Sequence, residues 1–243
     1  VTITVEQTMT RSYTSGPAIS FTFSPSISFM EDDLGIVFAV VESDEEVTIP
    51  TGWNMGATAL ATRGATHLCR VYGFYRIMTS SPPSSISFTC TSATADVRFI
   101  VHRVSASLGW SSGDFWNNES SGSDVSPSYP SPGFPPTYDI GAATSTTFDD
   151  ALIRFAGCND NGDEGTFDTT QSFSGHTKLA MLTGSEVGAV SLRDDALALG
   201  TISALTLDTI SVSGGEVDGI AFLNVFLREG GAGGSDLLLR GVG

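Results

Sequence analysis

Apolar residues recur along this chain chiefly at every second position, as at Val1, Ile3 and Val5. The set Ile36, Phe38 and Val40 likewise alternates with Val37, Ala39 and Val41. A period of two places successive side chains on opposite faces of an extended backbone, so these segments predict strands. The same pattern predicts strands over Ile19–Phe23, Ala57–Arg63, His67–Thr79, Ser85–Thr91, Asp96–Ser105, Phe148–Ala156, Lys178–Thr183, Ile202–Leu207, Thr209–Ser213 and Gly219–Arg228. Turn chemistry separates them: Ser15-Gly16-Pro17, Pro50-Thr51-Gly52, Ser81-Pro82-Pro83, Asn161-Gly162 and Ser213-Gly214-Gly215. Only Leu192–Gly200 has helix-forming composition with a glycine stop, and it is too short to organise a domain. Many short strands at close spacing imply an all-β protein, a two-sheet sandwich or a barrel.

The segment from Ser111 to Pro136 carries Pro127, Pro130, Pro132, Pro135 and Pro136 amid Ser, Gly and Asn. It reads either as a linker between two halves or as a long loop of one sandwich. Phe115, Trp116, Tyr129 and Phe134 within it need something to pack against, which favours an ordered loop at 111–136. One domain over 1–229 follows, with a Gly-rich spacer and tail at 230–243, and no repeat of fixed period is evident. After Gly230-Gly231-Ala232-Gly233-Gly234, the apolar Leu237, Leu238 and Leu239 suit either docking on a neighbouring subunit or a frayed end.

Charge changes the functional picture. Eleven Lys and Arg stand against 27 Asp and Glu, a formal net charge of −16, with Lys178 the single lysine. Phosphate neutralisation needs clustered cations, so nucleic-acid binding is not expected. No apolar run approaches the roughly 20 residues of a membrane helix, and Val1–Gln7 alternates like a mature strand rather than a leader, so neither membrane insertion nor export is expected. Cys69, Cys90 and Cys158 form no C-x-x-C pair. Cys69 and Cys90, on neighbouring predicted strands, read as small buried thiols, with a disulfide as the alternative.

Candidate chemistry is sparse. Gly109-Trp110-Ser111-Ser112-Gly113 matches the nucleophile pattern of serine hydrolases, but no helix follows it, so no catalytic residue is assigned. Asn159-Asp160-Asn161-Gly162-Asp163-Glu164-Gly165, with Asp168 beyond, gathers oxygen ligands without EF-hand spacing. It reads as a solvated acidic turn, with an irregular Ca²⁺ loop built on Asp160, Asp163, Glu164 and Asp168 as the alternative. The doublets Asp32-Asp33, Glu45-Glu46, Asp149-Asp150 and Asp194-Asp195 point to opposite faces of a strand and form no catalytic pair by themselves. His67, His102 and His176 are isolated and read as structural, as does Trp53 behind its turn. Trp110, Trp116 and Tyr129 are the aromatic residues placed to stack on a sugar or meet a partner.

A family pattern then emerges. Pro50-Thr51-Gly52-Trp53, the long aromatic strand Leu68-Cys69-Arg70-Val71-Tyr72-Gly73-Phe74-Tyr75-Arg76-Ile77, Ser87-Phe88-Thr89-Cys90-Thr91-Ser92, Phe99-Ile100-Val101-His102-Arg103-Val104 and Asp150-Ala151-Leu152-Ile153 together resemble a β-sandwich module of tailed-phage virion proteins. The chain departs from that module at His102–Gly109, where a Y-x-G-V-D run would stand. The resemblance implies a two-sheet antiparallel sandwich of jelly-roll-like form, with no enzyme and no cofactor. It implies a decoration, head-fibre or tail-appendage protein of the virion, assembled in the host cytoplasm as a homotrimer on a major capsid or tail protein. The alternative is a carbohydrate-binding module that contacts a host-surface glycan.

Overall fold

The computed structural model describes residues 3–13, 18–22, 27–42, 46–63, 67–90, 96–110, 115–125, 137–146, 149–159, 165–183, 187–195, 197, 199–211 and 219–230. Among these there is no helix, and all strand pairs are antiparallel. The first half of the chain supplies β1 (Ile3–Tyr13), β2 (Ala18–Thr22), β3 (Leu34–Val41), β4 (Asn54–Arg63), β5 (His67–Ile77), β6 (Ser85–Thr89) and β7 (Val97–Ala106). Five of them form one sheet in the order β1-β7-β3-β5-β4, and β2 pairs with β6 as a separate ribbon. The second half supplies β8 (Trp116–Asp124), β9 (Thr137–Ile140), β10 (Ala143–Ser145), β11 (Ala151–Asn159), β12 (Gly165–Phe167), β13 (His176–Leu182), β14 (Val187–Asp194), β15 (Gly200–Ile202), β16 (Leu205–Ser211) and β17 (Gly219–Leu227). Its main sheet runs β13-β14-β11-β17-β8, with the smaller sheets β12-β16-β9 and β10-β15 beside it.

The two main sheets stack face to face, β1 on β13, β7 on β14, β3 on β11, β5 on β17 and β4 on β8. Alternation decides what meets in the middle. Ile36, Phe38 and Val40 of β3 face Ile153 and Phe155 of β11 and Leu223 and Val225 of β17 in one continuous core. The intervening residues face outward: Val37, Ala39 and Val41 pack beneath β6, and Ala156, Cys158, Ile220 and Phe222 beneath β9, β12 and β16. Both faces of each main sheet are thus covered, which explains why β3, β11 and β17 are buried along their whole length and read as largely apolar runs.

Each half builds the same sheet. Counting main strands from the start of each half, the order first-fifth-second-fourth-third holds for β1-β7-β3-β5-β4 and for β8-β17-β11-β14-β13. In each half a strand before the second main strand pairs with one before the fifth to cover the outer face: β2 with β6, and β9 and β10 with β16 and β15. The correspondence extends to details. Both second strands follow an Asp doublet, Asp32-Asp33-Leu34-Gly35-Ile36-Val37-Phe38-Ala39 against Asp149-Asp150-Ala151-Leu152-Ile153-Arg154-Phe155-Ala156. Both third strands are entered through a turn with a glycine at positive φ, Gly52 at 79° and Gly175 at 74°, closed by bonds from Trp53 N to Pro50 O and from His176 N to Phe173 O. That geometry is the type II turn, whose third position suits glycine. Both third strands also carry a bulge at the matching place, Gly56 and Leu179. An approximate two-fold axis along the strands relates the halves, and Phe38 stacks on its counterpart Phe155 with centroids 4.5 Å apart and planes 12° from parallel.

The chain contains a structural repeat without a fixed sequence period, because loops of unequal length change the spacing from segment to segment. Two expectations are corrected. Part of the expected loop at 111–136 is strand β8, paired along β17, because its Ser and Asn side chains suit an exposed sheet edge. The helix-like stretch Leu192–Gly200 begins as the end of β14, whose pairing on both sides overrides local propensity. The all-β antiparallel sandwich expected from the sequence is found, with a further strand layer on each outer face.

Candidate functional site

Among the described candidates, Trp110, Trp116 and two of the Asp doublets lie where the two halves join. Trp110 and Glu229 form a β-bridge, so β7 and β17 end at the same pole of the sandwich, where β3 and β11 begin. Glu229 Oε1 accepts from Ser107 Oγ at 2.7 Å and from Leu108 N at 2.6 Å, and Gly230 N donates to Gly109 O at 2.8 Å. The two Asp doublets sit at this pole as well. Asp33 pairs with Arg103 at 2.6 Å and Asp149 with Arg228 at 2.8 Å, while Asp150 accepts from Glu229 N at 2.7 Å. Three of these four carboxylates therefore hold arginines or backbone, and the arrangement is a brace rather than an acid–base pair.

The indoles face inward. Trp110 is half-buried and donates from Nε1 to Asp32 O at 2.8 Å. Trp116 stacks on Tyr75 at 4.9 Å and lies so close to Gly56 that a Cβ there would meet the indole at 2.3 Å. Phe115 meets Tyr75 edge-on at 5.3 Å and Trp110 at 6.2 Å. The structure thus brings Trp110 and Trp116 into one aromatic cluster with Phe115 and Tyr75, which locks β8 over β4 and β5. Aromatic pairs of this kind contribute about 0.5–1.5 kcal/mol beyond their buried area. Both indoles thus have partners within the chain, Trp116 stacked on Tyr75 and Trp110 bonded to Asp32 O and tilted beside Phe115. Tyr129, Ser111 and Leu237, Leu238 and Leu239 lie outside the described residues, as do Asp160, Asp163 and Glu164.

Asp168 is described, and its Oδ1 accepts from Thr170 N and Thr170 Oγ1, both at 2.7 Å. Those two bonds hold its carboxyl below the usual carboxylate range. The residue closes a local turn. Among the described residues no group of three or more His, Cys, Asp or Glu is placed to hold a metal ion.

Two polar sites lie within the layers, His102, which the sequence reads as structural, and Arg154, which the sequence reading missed. His102, fully buried on β7, contacts Thr8 Oγ1 through Nδ1 and Ser191 Oγ of β14 through Nε2, each at 2.9 Å. It crosses the inner core from one half to the other. Burial lowers its pKa to about 3, so the ring is neutral. A serine beside a histidine suggests nucleophilic chemistry, yet the third partner is a hydroxyl rather than a carboxylate, and both residues are sealed between sheets. The second site is Arg154 on the outer face of β11, fully buried, whose Nη2 donates to Ser203 O at 2.9 Å. Its neighbour in register, Asn224 of β17, donates to Gly141 O at 2.9 Å. An arginine in the apolar run Ala151–Ala156 was the available signal.

The three cysteines are buried free thiols. Cys69 faces the inner core and Cys90 the opposite face of the same sheet, which rules out the alternative disulfide. Burial pushes the Cys69 thiol well up, so it is unreactive. Comparison with known proteins yields no family: no family model matches the chain, and no curated protein and no solved structure matches it either.

Proposed function

We propose that this chain is a non-enzymatic structural component of a tailed-phage particle, a decoration protein on the outer surface of the shell. The observation that carries the reading is where the reactive and aromatic side chains go. His102, Trp53, Trp110 and Trp116 are all committed to internal packing or hydrogen bonds, and the Asp doublets brace the joint between the halves. What remains outward is a doubled, rigid sandwich with a net charge of −16, suited to holding a position rather than turning over a substrate. Three free buried thiols fit assembly in the reducing host cytoplasm. The partner in this reading is a major capsid protein, with a tail protein as the other seat, and a homotrimer matches a symmetry axis of the particle. The glycan reading loses Trp110 and Trp116 as free stacking surfaces.

Binding to particles is the test. Purified chain mixed with undecorated capsids or with tails is expected to co-sediment with saturable stoichiometry, and light scattering is expected to report a trimer. Failure to bind either particle, with glycan-array binding in its place, would overturn the proposal.

A further inference from the structure

Large apolar side chains stand exposed at the pole where the halves join, and hydrogen bonds show that they lie together. The turn Met30-Glu31-Asp32-Asp33 leads into β3, with Asp33 N bonded to Met30 O at 3.2 Å and Asp32 N to Met78 O at 3.0 Å. Asp32 O accepts in turn from Trp110 Nε1 at 2.8 Å. Met30, Ile77 and Leu108 each lie on these contacts or within two residues of them, and Met30 and Leu108 are 57% and 56% exposed. Single exposed apolar residues are ordinary, whereas a contiguous group marks a contact surface.

The repeated half shows that the fold does not require hydrocarbon here. It enters β11 through a turn of the same hydrogen bonding, set one residue earlier. Thr146 N donates to Asp149 Oδ2 and Asp149 N to Thr146 O, as Met30 N donates to Asp33 Oδ2 and Asp33 N to Met30 O. Thr146 thus takes the place of Met30, and the register of β14 on β11 puts Asp195 at the place of Ile77. The apolar surface is a property of one half, and the chain itself leaves the fold beside it. Gly230 N donates to Gly109 O at 2.8 Å, and a Cβ on Gly230 would lie 3.1 Å from Leu108 O. The sequence continues with Gly231-Ala232-Gly233-Gly234-Ser235-Asp236 and then Leu237-Leu238-Leu239-Arg240. A six-residue spacer bridges at most about 20 Å, while a strand as long as β3 covers roughly 26 Å, so the leucines reach this pole rather than the opposite one.

We propose that Leu237, Leu238 and Leu239 dock on Met30, Ile77 and Leu108 of the same chain, with Arg240 set against Glu31 and Asp32. Two features match this occupant to the surface. Three consecutive leucines complement the exposed hydrocarbon, and an arginine, scarce in a chain of net charge −16, complements two exposed carboxylates beside Met30. A short tether also holds its ligand at roughly millimolar effective concentration, so the chain's own segment outcompetes that of a second copy at ordinary protein concentrations. The surface is thereby closed by the chain that emerges next to it, whatever the outer faces of the sandwich bind.

Methionine oxidation by peroxide reads this cover directly, because attack follows the exposure of the thioether. Met55 on β4 is the internal standard, 38% exposed against 57% for Met30. In the full chain, Met30 is expected to oxidise several-fold more slowly than Met55, the reverse of their order of exposure. Combining Leu237→Ser, Leu238→Ser and Leu239→Ser is expected to raise the Met30 rate about tenfold, as for a segment docked roughly nine-tenths of the time, and to leave Met55 unchanged. Arg240→Gln is expected to give a smaller rise. Proton NMR separates one chain from two: chains labelled on both Met and Leu methyls are expected to show contacts from Met30 to the three leucines, and singly labelled copies refolded together are not. Oxidation of Met30 as fast as Met55 in the full chain, protection that survives the triple substitution, or contacts between singly labelled copies would overturn the proposal.

Discussion

The outer faces of the two halves make the most instructive contrast in the molecule. In the first half, Val37, Phe74, Phe88, Phe99 and Val101 form an apolar layer, with Phe88 stacked on Phe99 at 4.7 Å. In the second half the same sheet positions carry Arg154 and Asn224 beneath a ribbon that breaks to meet them. One strand order therefore tolerates two different fillings of its cover. The inner faces differ too, but in a complementary way: Val40 occupies the space left by its counterpart Gly157, where a Cβ would approach Val40 Cγ2 at 2.5 Å. The outer layers vary independently of each other, while the inner ones must fit together.

The largest test of this contrast uses pH. His102 bridges the inner core to Ser191, where the counterparts are Val225 and Gly73. Its folded pKa of about 3 lies below the ordinary value of 6.5, so the folded state binds the proton less readily than the unfolded one. The stabilisation is fully present above pH 6.5 and is lost as pH falls toward 3, on the order of 5 kcal/mol across that window. Denaturant unfolding from pH 7 to 3.5 is expected to show this slope in the unaltered chain and a shallower one in His102→Val. An unchanged slope in the variant would assign the acid sensitivity elsewhere.

Next in size is the pair that meets on the axis. Phe38→Ala and Phe155→Ala are each expected to cost about 3–5 kcal/mol, since each empties the same part of the core. The double variant should cost less than the sum, with a coupling of roughly 0.5–1.5 kcal/mol from the lost stacking. Strict additivity in a double-mutant cycle would mean that the two rings do not act as a pair.

The smallest effect concerns the complementary fit. Gly157→Val should overpack against Val40 and Val71 and cost roughly 1–3 kcal/mol. Adding Val40→Gly, which exchanges the two residues between the halves, is expected to recover part of that loss in the denaturation midpoint. If the exchange is no better than Gly157→Val alone, the correspondence of these positions fails.

Much of the fold was legible in the sequence because period-two alternation survives wherever one face of a strand is solvated or mixed, as in β1 and β6. It was less legible in β8, whose residues Trp116–Asp124 are polar nearly throughout and become a strand only by pairing with β17. The short strands β9, β10 and β12 were missed for a related reason, since three or four residues carry too little pattern to outweigh their turns. The repeat escaped notice because its marks are a doublet, a turn and a bulge set at unequal intervals, and a bulge leaves no signature until register is known. At the pole, the sequence supplied Trp110 and Trp116 as aromatic residues of interest. The destination of Trp116 depended on Tyr75 and Gly56, and that of Trp110 on Asp32, all distant in sequence.

The stack of Phe38 on Phe155 has one more consequence. In a dimer of identical chains, every substitution is made twice, and a residue on the symmetry axis meets its own altered copy. Here the two rings belong to different positions of a single chain, so either can change against an unchanged partner. An interface of this kind can be adjusted in half-steps, and combinations such as a histidine in one half facing a serine in the other, with valine and glycine at the mirrored places, become accessible without passing through a doubly disrupted core.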